Sequence, residues 1–373
     1  MDDSTHPPPT RPDIVVRVQV HRNSHYAVVK DPVTGRFFRL PEMAWKIAGH
    51  FNSNLDYRQI AFLASEREES DISAEDVQGV AEQLERLGLL DQGLSRADIA
   101  SRQEAVTLER RSILYLKRPL VDPDRFLSGL LAAIRPLVSF PFVVLVVVLV
   151  CCAAILHAIH PHEAAQAMAS SLRGWGLAWL YGMTALTLTL HEIAHGLACK
   201  RFGAEVREMG VMLLYFMPCA YTDISDAYLV PKKQNRIWIT MAGSVADLAV
   251  WSAATIALAT LHPVQGPLLQ ALGALMLTTG LRSVVFNLNP LIRLDGYYVL
   301  VDLLEMPNLR LRAREVVRWR VANWLGRASA RPDETARDRR ILEAYGWLSL
   351  VYVVALLSMS AVLAAQWLVE LTV

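Results

Sequence analysis

The sequence predicts a polytopic α-helical membrane protein with a small N-terminal α+β domain of winged-helix-like order. Three observations predict it. The 373 residues are 53% hydrophobic with a formal net charge of +1, too apolar for an ordinary soluble chain of this length. The apolar residues are unevenly spread: the first hundred or so positions mix polar and apolar, and long apolar runs recur after that. Within the N-terminal part, apolar alternation of period two gives way to a helical period.

The opening MDDSTHPPPT has neither the basic start nor the apolar core of a signal peptide, and residues 1–11 read as a disordered tail. Residues 14–20 (IVVRVQV) alternate as a strand, followed by β-rich runs at 26–29 and 36–40 around the turn Asp31-Pro32-Val33-Thr34-Gly35. Helical patterns cover 41–51, 56–64 and 74–87, the last with Ser73 as its cap, Asp76 in its first turn and Gly88-Leu89-Leu90 closing it. Three strands and three helices over 12–91 make the winged-helix-like unit. Such units often bind nucleic acid. Here Glu66, Glu68, Glu69, Asp71, Glu75, Asp76, Glu82 and Glu85 cluster, and no basic footprint for nucleic acid is present.

Residues 92–136 read as a charged linker in which Arg110, Arg111, Lys117 and Arg118 approach the membrane, ending in an interfacial helix at 126–137. Apolar runs long enough to cross a bilayer lie at 138–159, 175–199, 237–261, 267–288 and 345–369, which predicts five to six spans plus re-entrant elements. The segment 160–174 reads as a short loop with exposed His160 and His162. The run 209–221 (MGVMLLYFMPCAY) is short for a span and holds a proline, as expected of a re-entrant hairpin or a strand at the membrane edge. Asn289 and Pro290 break the fourth span, a short apolar helix follows at 294–304, and 308–340 is arginine-rich and soluble. Lys and Arg concentrate in 200–236 and 308–340, whereas the loops 160–174 and 262–266 carry only Arg173. That bias predicts a cytoplasmic N-terminal domain; the membrane is expected to be a bacterial inner one. Cys151, Cys152, Cys199 and Cys219 form no C-x-x-C pair and read as reduced packing residues, with Cys219 a weaker candidate for lining a substrate path.

The second span ends in His191-Glu192-Ile193-Ala194-His195. On a helix, residues four apart share a face, so the two imidazoles can bind one zinc ion, and Glu192 can act as a base toward water. Its flanks GLAWLYGMTALTLTL and IAHGLAC offer little polar surface, and ionisable groups inside a membrane segment point to function. A catalytic zinc takes three protein ligands. Asp295, in NLNPLIRLDG after the helix break, is the candidate third, and it reads equally well as a helix cap. Arg282, Arg293 and Asp247 could line a polar cavity. The two arginines could equally snorkel to the interface or pair with Asp302.

The pair H-E-x-x-H and N-x-x-P-x-x-x-L-D-G resembles the signature of the site-2 protease family of intramembrane zinc metalloproteases, over about residues 135–305. The resemblance implies that His191, His195 and Asp295 hold zinc, that Glu192 is the general base, and that Asn287 lies near the substrate or the developing oxyanion. Where site-2 proteases often have Gly and then Asn four residues on, this chain has Gly243 and Asp247. The segment PCAYTDISDAYLVPKKQNR, with Asp223, resembles the subgroup associated with peptide export and ribosomal peptides, in which it would lie along the substrate as an edge strand. Residues 12–91 resemble the PqqD-like peptide-recognition domains through VKDPVTGRFFRLPE and the terminal ERLGLL, implying a leader peptide added to the sheet edge. The implied activity is intramembrane proteolysis in maturation or export of a ribosomally made peptide, with the bilayer and maturation or export proteins as partners and no nucleic acid. Two alternatives stand beside it: cleavage of a membrane-anchored signalling protein, and a non-proteolytic peptide-binding or export subunit.

Overall fold

The computed structural model describes residues 6–21, 24–91, 115–214, 217–261, 263–327 and 334–372, with residues 98, 101 and 332 between them. The chain is mostly helical and divides into two compact units, neither continuous in sequence. One joins 1–129 to 199–236, and the other joins 130–198 to 237–373.

In the first unit, β1 (Val15–His21), β2 (Ser24–Asp31) and β3 (Arg36–Pro41) form an antiparallel sheet in the order β1-β2-β3. The β2–β3 turn is built by Asp31, whose carboxylate accepts from the Val33 amide at 3.0 Å and the Thr34 hydroxyl at 2.6 Å, while Gly35 takes φ +64°. Three helices follow: α1 (Glu42–Ala48), α2 (Tyr57–Glu68) and α3 (Ala74–Leu87). Asp56 and Ser73 each form a reciprocal capping box, and Gly88 at φ +71° ends α3. Ala27, Val29, Leu40, Ile47, Phe51, Ile60, Val77, Leu84 and Leu90 make the core. The first helix is shorter than its pattern predicts and gives way to a 3₁₀ turn at Phe51–Ser53.

The tail expected over 1–11 is, from His6 onward, part of this unit. The Arg11 amide donates to the Leu89 carbonyl at 3.0 Å, and the buried Arg11 guanidinium binds Asp13, Asp31 and the Gly88 carbonyl. The face of the sheet opposite the helices is covered by the chain at 225–236. Gln19 donates to the Tyr228 carbonyl at 2.6 Å, Arg236 donates to Gln19 at 3.2 Å, and Lys30 pairs with Asp226.

The linker expected over 92–136 contains β4 (Tyr115–Val121) and α4 (Asp124–Ile134). β4 joins β5 (Met209–Leu214) and β6 (Met217–Thr222) in a second antiparallel sheet, so the 209–221 run is a hairpin with β6 at the edge. A Cβ on Gly210 would lie 2.2 Å from the Arg118 carbonyl oxygen, which accounts for a glycine at this crossing. Asp124 accepts both from Lys200 (2.8 and 2.9 Å) and from the Val206 amide (3.0 Å), fixing the start of α4. The side chain of Cys219 lies outside the described residues.

The second unit contains α5 (Phe140–Ile159), α6 (Pro161–Ser171), α7 (Gly176–Arg201, whose last residues belong to the first unit), α8 (Lys233–Thr260, whose first residues belong to the first unit), α9 (Gly266–Gly280), α10 (Asp295–Leu304), α11 (Leu309–Trp324) and α12 (Ala336–Thr372). Between α9 and α10 lie a π-helical turn, Leu281–Asn287, and a non-helical stretch. Among the described residues four helices are long and apolar enough to cross a membrane: Phe140–Ile159, Lys233–Thr260, Gly266–Asn287 and Ala336–Met359. The 26-residue α7 is long enough, but its threonines and the ionisable residues of its last turns lower its hydropathy. On α5 the large apolar side chains Leu145, Val147, Val148 and Ile155 are exposed, as a surface facing lipid requires. Cys151 and Cys152 are exposed on the same helix, so the expected packing role holds only for buried Cys199; all three are free thiols.

The segment expected as a 160–174 loop is α6. It packs on α9 so closely that a Cβ on Gly273 would lie 1.9 Å from the Ala167 carbonyl oxygen. Ala164, Ala167, Ala254, Leu258, Leu272 and Met276 fill that junction. A second cluster joins α10, α11 and α12 through Tyr297, Met306, Leu309, Val316, Leu342 and Tyr345. From it the Tyr345 hydroxyl donates to the Pro290 carbonyl at 3.3 Å, in the loop that precedes Asp295.

Candidate metal centre

The helical register of α7 places His191 and His195 one turn apart, and both side chains are buried. Their Nε2 atoms lie 3.1 Å apart with the rings near perpendicular, at 79°. Asp295 arrives from the other side of the helix break. It is the first residue of α10, while Leu294 occupies the cap position without a side-chain cap bond, so the capping role considered for Asp295 does not hold. Gly296 allows the approach: a Cβ there would lie 2.6 Å from the Leu288 carbonyl.

The Asp295 Oδ2 is buried and receives no hydrogen bond among the described residues, yet it lies 3.4 Å from His191 Nε2 and 3.3 Å from His195 Nε2. These three atoms form the metal-capable group found among the described residues; His160 and His162 are not in it. Imidazole nitrogens bonded to zinc at about 2.0–2.1 Å around a tetrahedron lie about 3.3 Å apart. The three observed edges of 3.1, 3.3 and 3.4 Å match that figure.

The outer ring nitrogens establish which atoms face inward. His195 Nδ1 lies 2.8 Å from the Ile239 carbonyl oxygen, which only accepts, so Nδ1 carries the proton and donates. His191 Nδ1 lies 3.0 Å from Asp247 Oδ2, again an acceptor. In neutral imidazoles both Nε2 lone pairs are then left pointing at each other and at a carboxylate oxygen. That arrangement is repulsive without a cation between them. The space is kept open by Gly243 of α8, where a Cβ would lie 2.4 Å from His195 Nε2 and 2.5 Å from His191 Nε2.

Asp247 is itself enclosed. Its Oδ2 accepts from Arg282 Nε at 2.9 Å and the Ser283 hydroxyl at 3.1 Å, and its Oδ1 pairs with Arg282 Nη2. Arg282 Nη1 reaches Thr187 of α7 at 3.2 Å. The pairing of Arg282 with Asp302 that the sequence allowed is replaced by this one, and Arg293 is exposed. The π turn makes the arrangement: the Leu288 amide donates to the Ser283 carbonyl five residues back, at 2.9 Å. That wider turn lets Arg282, Ser283 and Asn287 reach one region.

Of the other residues singled out in the sequence, Glu192 follows His191 on α7 and is partly exposed. Asn287 is buried with its amide nitrogen 3.3 Å from His191 Nε2. Asp223 belongs to the first unit, where its carboxylate accepts from the Ser225 amide at 3.1 Å and the Ser225 hydroxyl at 2.6 Å, just after β6. Gly243 was visible only as a family echo, and Ser283, Thr187 and the Ile239 carbonyl carry no sequence signal.

No protein-family model and no solved structure matches the chain. It is 34% identical over 94 residues to an uncharacterized protein of Methanocaldococcus jannaschii, covering 24% of this chain and 26% of that protein. The match thus spans about a quarter of the relative's length.

Proposed function

We propose that the chain is an intramembrane zinc metalloendopeptidase of the site-2 protease type. The observation that carries the proposal is the convergence of His191 Nε2, His195 Nε2 and the unpartnered Asp295 Oδ2 at tetrahedral-edge distances inside an apolar helical unit. His191, His195 and Asp295 would hold zinc, which supplies a Lewis acid for a peptide carbonyl and for the attacking water. Glu192, less buried than the histidines, accepts the proton of that water and passes it to the leaving amine. Asn287, on the metal-facing side, offers its amide to the developing oxyanion.

The substrate must be extended, because a helical peptide bond is shielded by its own hydrogen bonds. The edge strand β6, with Asp223 at its end, is the place for pairing with it. The N-terminal sheet is the place for a leader peptide, in the manner of PqqD-like domains, and the process served is maturation or export of a ribosomally made peptide. The enzyme sits in a bacterial inner membrane with α5, α7, α8, α9 and α12 crossing it and the N-terminal domain in the cytoplasm.

The experiment compares wild type with Glu192→Gln. Zinc content should be equal, and peptide cleavage should fall by about 10²–10⁴-fold. Equal processing by both proteins would exclude proteolysis by this site and favour a non-proteolytic export subunit. Cleavage of a membrane-anchored regulator but of no leader-bearing peptide would favour the signalling role.

A further inference from the structure

We propose that Asp247 is the positioning residue of the metal centre: fixed by Arg282 and Ser283, its carboxylate holds His191 in the tautomer and orientation that present Nε2 to the metal. The inference rests on the metal-binding reading above and assigns a role to a residue that departs from the family pattern.

The two histidine ligands are held by unlike devices. His195 leans on a backbone carbonyl, Ile239. His191 leans on a side-chain carboxylate, 56 residues away in sequence and only 1% exposed. A buried carboxylate in an apolar helical unit is costly and persists only when its oxygens are satisfied. Both oxygens of Asp247 are satisfied: Oδ2 accepts from His191 Nδ1, Arg282 Nε and Ser283 Oγ, and Oδ1 from Arg282 Nη2. Arg282 then donates to Thr187, which sits one turn before His191 on the same face of α7. The hydrogen bonds close a ring from α7 through the π turn and α8 back to α7. Such a ring leaves the imidazole one orientation and Asp247 no freedom to turn.

An amide at 247 cannot reproduce it. With two acceptors replaced by one acceptor and one NH₂, either Arg282 or His191 Nδ1 faces a donor. If it is His191, the proton moves to Nε2 and blocks the metal. Loss of such an outer partner costs about 10–100-fold in metal affinity.

The test uses full-length protein in detergent, with zinc affinity read by competition against a chromophoric chelator and coordination read from the visible bands of the Co²⁺ form. Asp247→Asn should lose about 10–100-fold in zinc affinity and alter the cobalt bands. The double variant Asp247→Ala/Arg282→Gln removes the ion pair as a whole, so that no arginine is left uncompensated if the single variant folds poorly, and leaves His191 Nδ1 without the carboxylate; it should show the same loss. Wild-type affinity and cobalt bands in either variant, while His191→Ala loses zinc, would overturn the positioning role and leave the metal centre standing. Equal zinc binding by wild type and His191→Ala would instead overturn the metal centre itself.

Discussion

At the scale of single residues, the proposed metal centre depends as much on a missing side chain as on those present. Gly243 faces the Nε2 atoms of His191 and His195 at distances no Cβ occupies, and the imidazoles cannot retreat because their outer nitrogens are held. Gly243→Ala should therefore lower zinc occupancy of the purified protein by at least about tenfold, comparable to losing an outer partner, as measured by metal analysis. Gly182, open on all sides, should accept alanine without that loss. His191, His195 and Asp295 were legible because helical spacing and a helix break are local properties of the sequence. Asp247 and Arg282 were visible only as polar oddities in apolar spans. Their pairing depends on how α7, α8 and the π turn pack, and no spacing rule encodes that.

At the scale of elements, the strands and helices of the N-terminal domain were legible from alternation, turn residues and caps. α6 was not, because its eleven residues are too short and too mixed in polarity to stand out beside the spans. β4 was not, because its partner β5 comes from far along the chain. The α6–α9 junction depends on Gly273, and Gly273→Val should destabilise the protein by about 1–3 kcal/mol through overpacking, seen as a lower melting temperature in detergent. A pH effect belongs to Asp124. Its hydrogen bonds from Lys200 and from the Val206 amide hold its carboxyl below the usual carboxylate range. The docking it provides is therefore present above the ordinary carboxylate value of about 3.9 and is lost as pH falls through the lower folded value. Amide protection factors at residues 199–206, corrected for the intrinsic exchange rate at each pH, should fall as pH drops toward that range in wild type. In Asp124→Asn this carboxylate contribution to the fall should be absent; an identical pH profile would refute the assignment.

At the scale of the whole molecule, composition was enough to announce a mostly helical chain with helices long and apolar enough to cross a membrane and a small sheet domain in front. It was not enough to show that 199–236 folds with the N-terminal residues, because that grouping comes from buried side chains such as Gln19, Lys30 and Arg236 meeting across the sequence. Crossing number has a parity consequence. Among the described residues four helices qualify by length and composition, and α7, which carries His191, Glu192 and His195, is not one of them. With α7 crossing, five spans put the two ends of the chain on opposite sides of the membrane. Impermeant labelling of tags at both ends should reach only one in intact cells, and labelling that treats both ends alike would rule out the five-span topology.

The Tyr345 hydroxyl on the Pro290 carbonyl gives the last helix a stake in a proposed site it never touches. It braces the bend whose far end bears the acidic corner of the ligand triangle. A chain cut short before α12 would keep every proposed ligand and lose the strut beneath one of them. Two corners would stay fixed and the third would wander, leaving an ion that arrives readily and departs as readily.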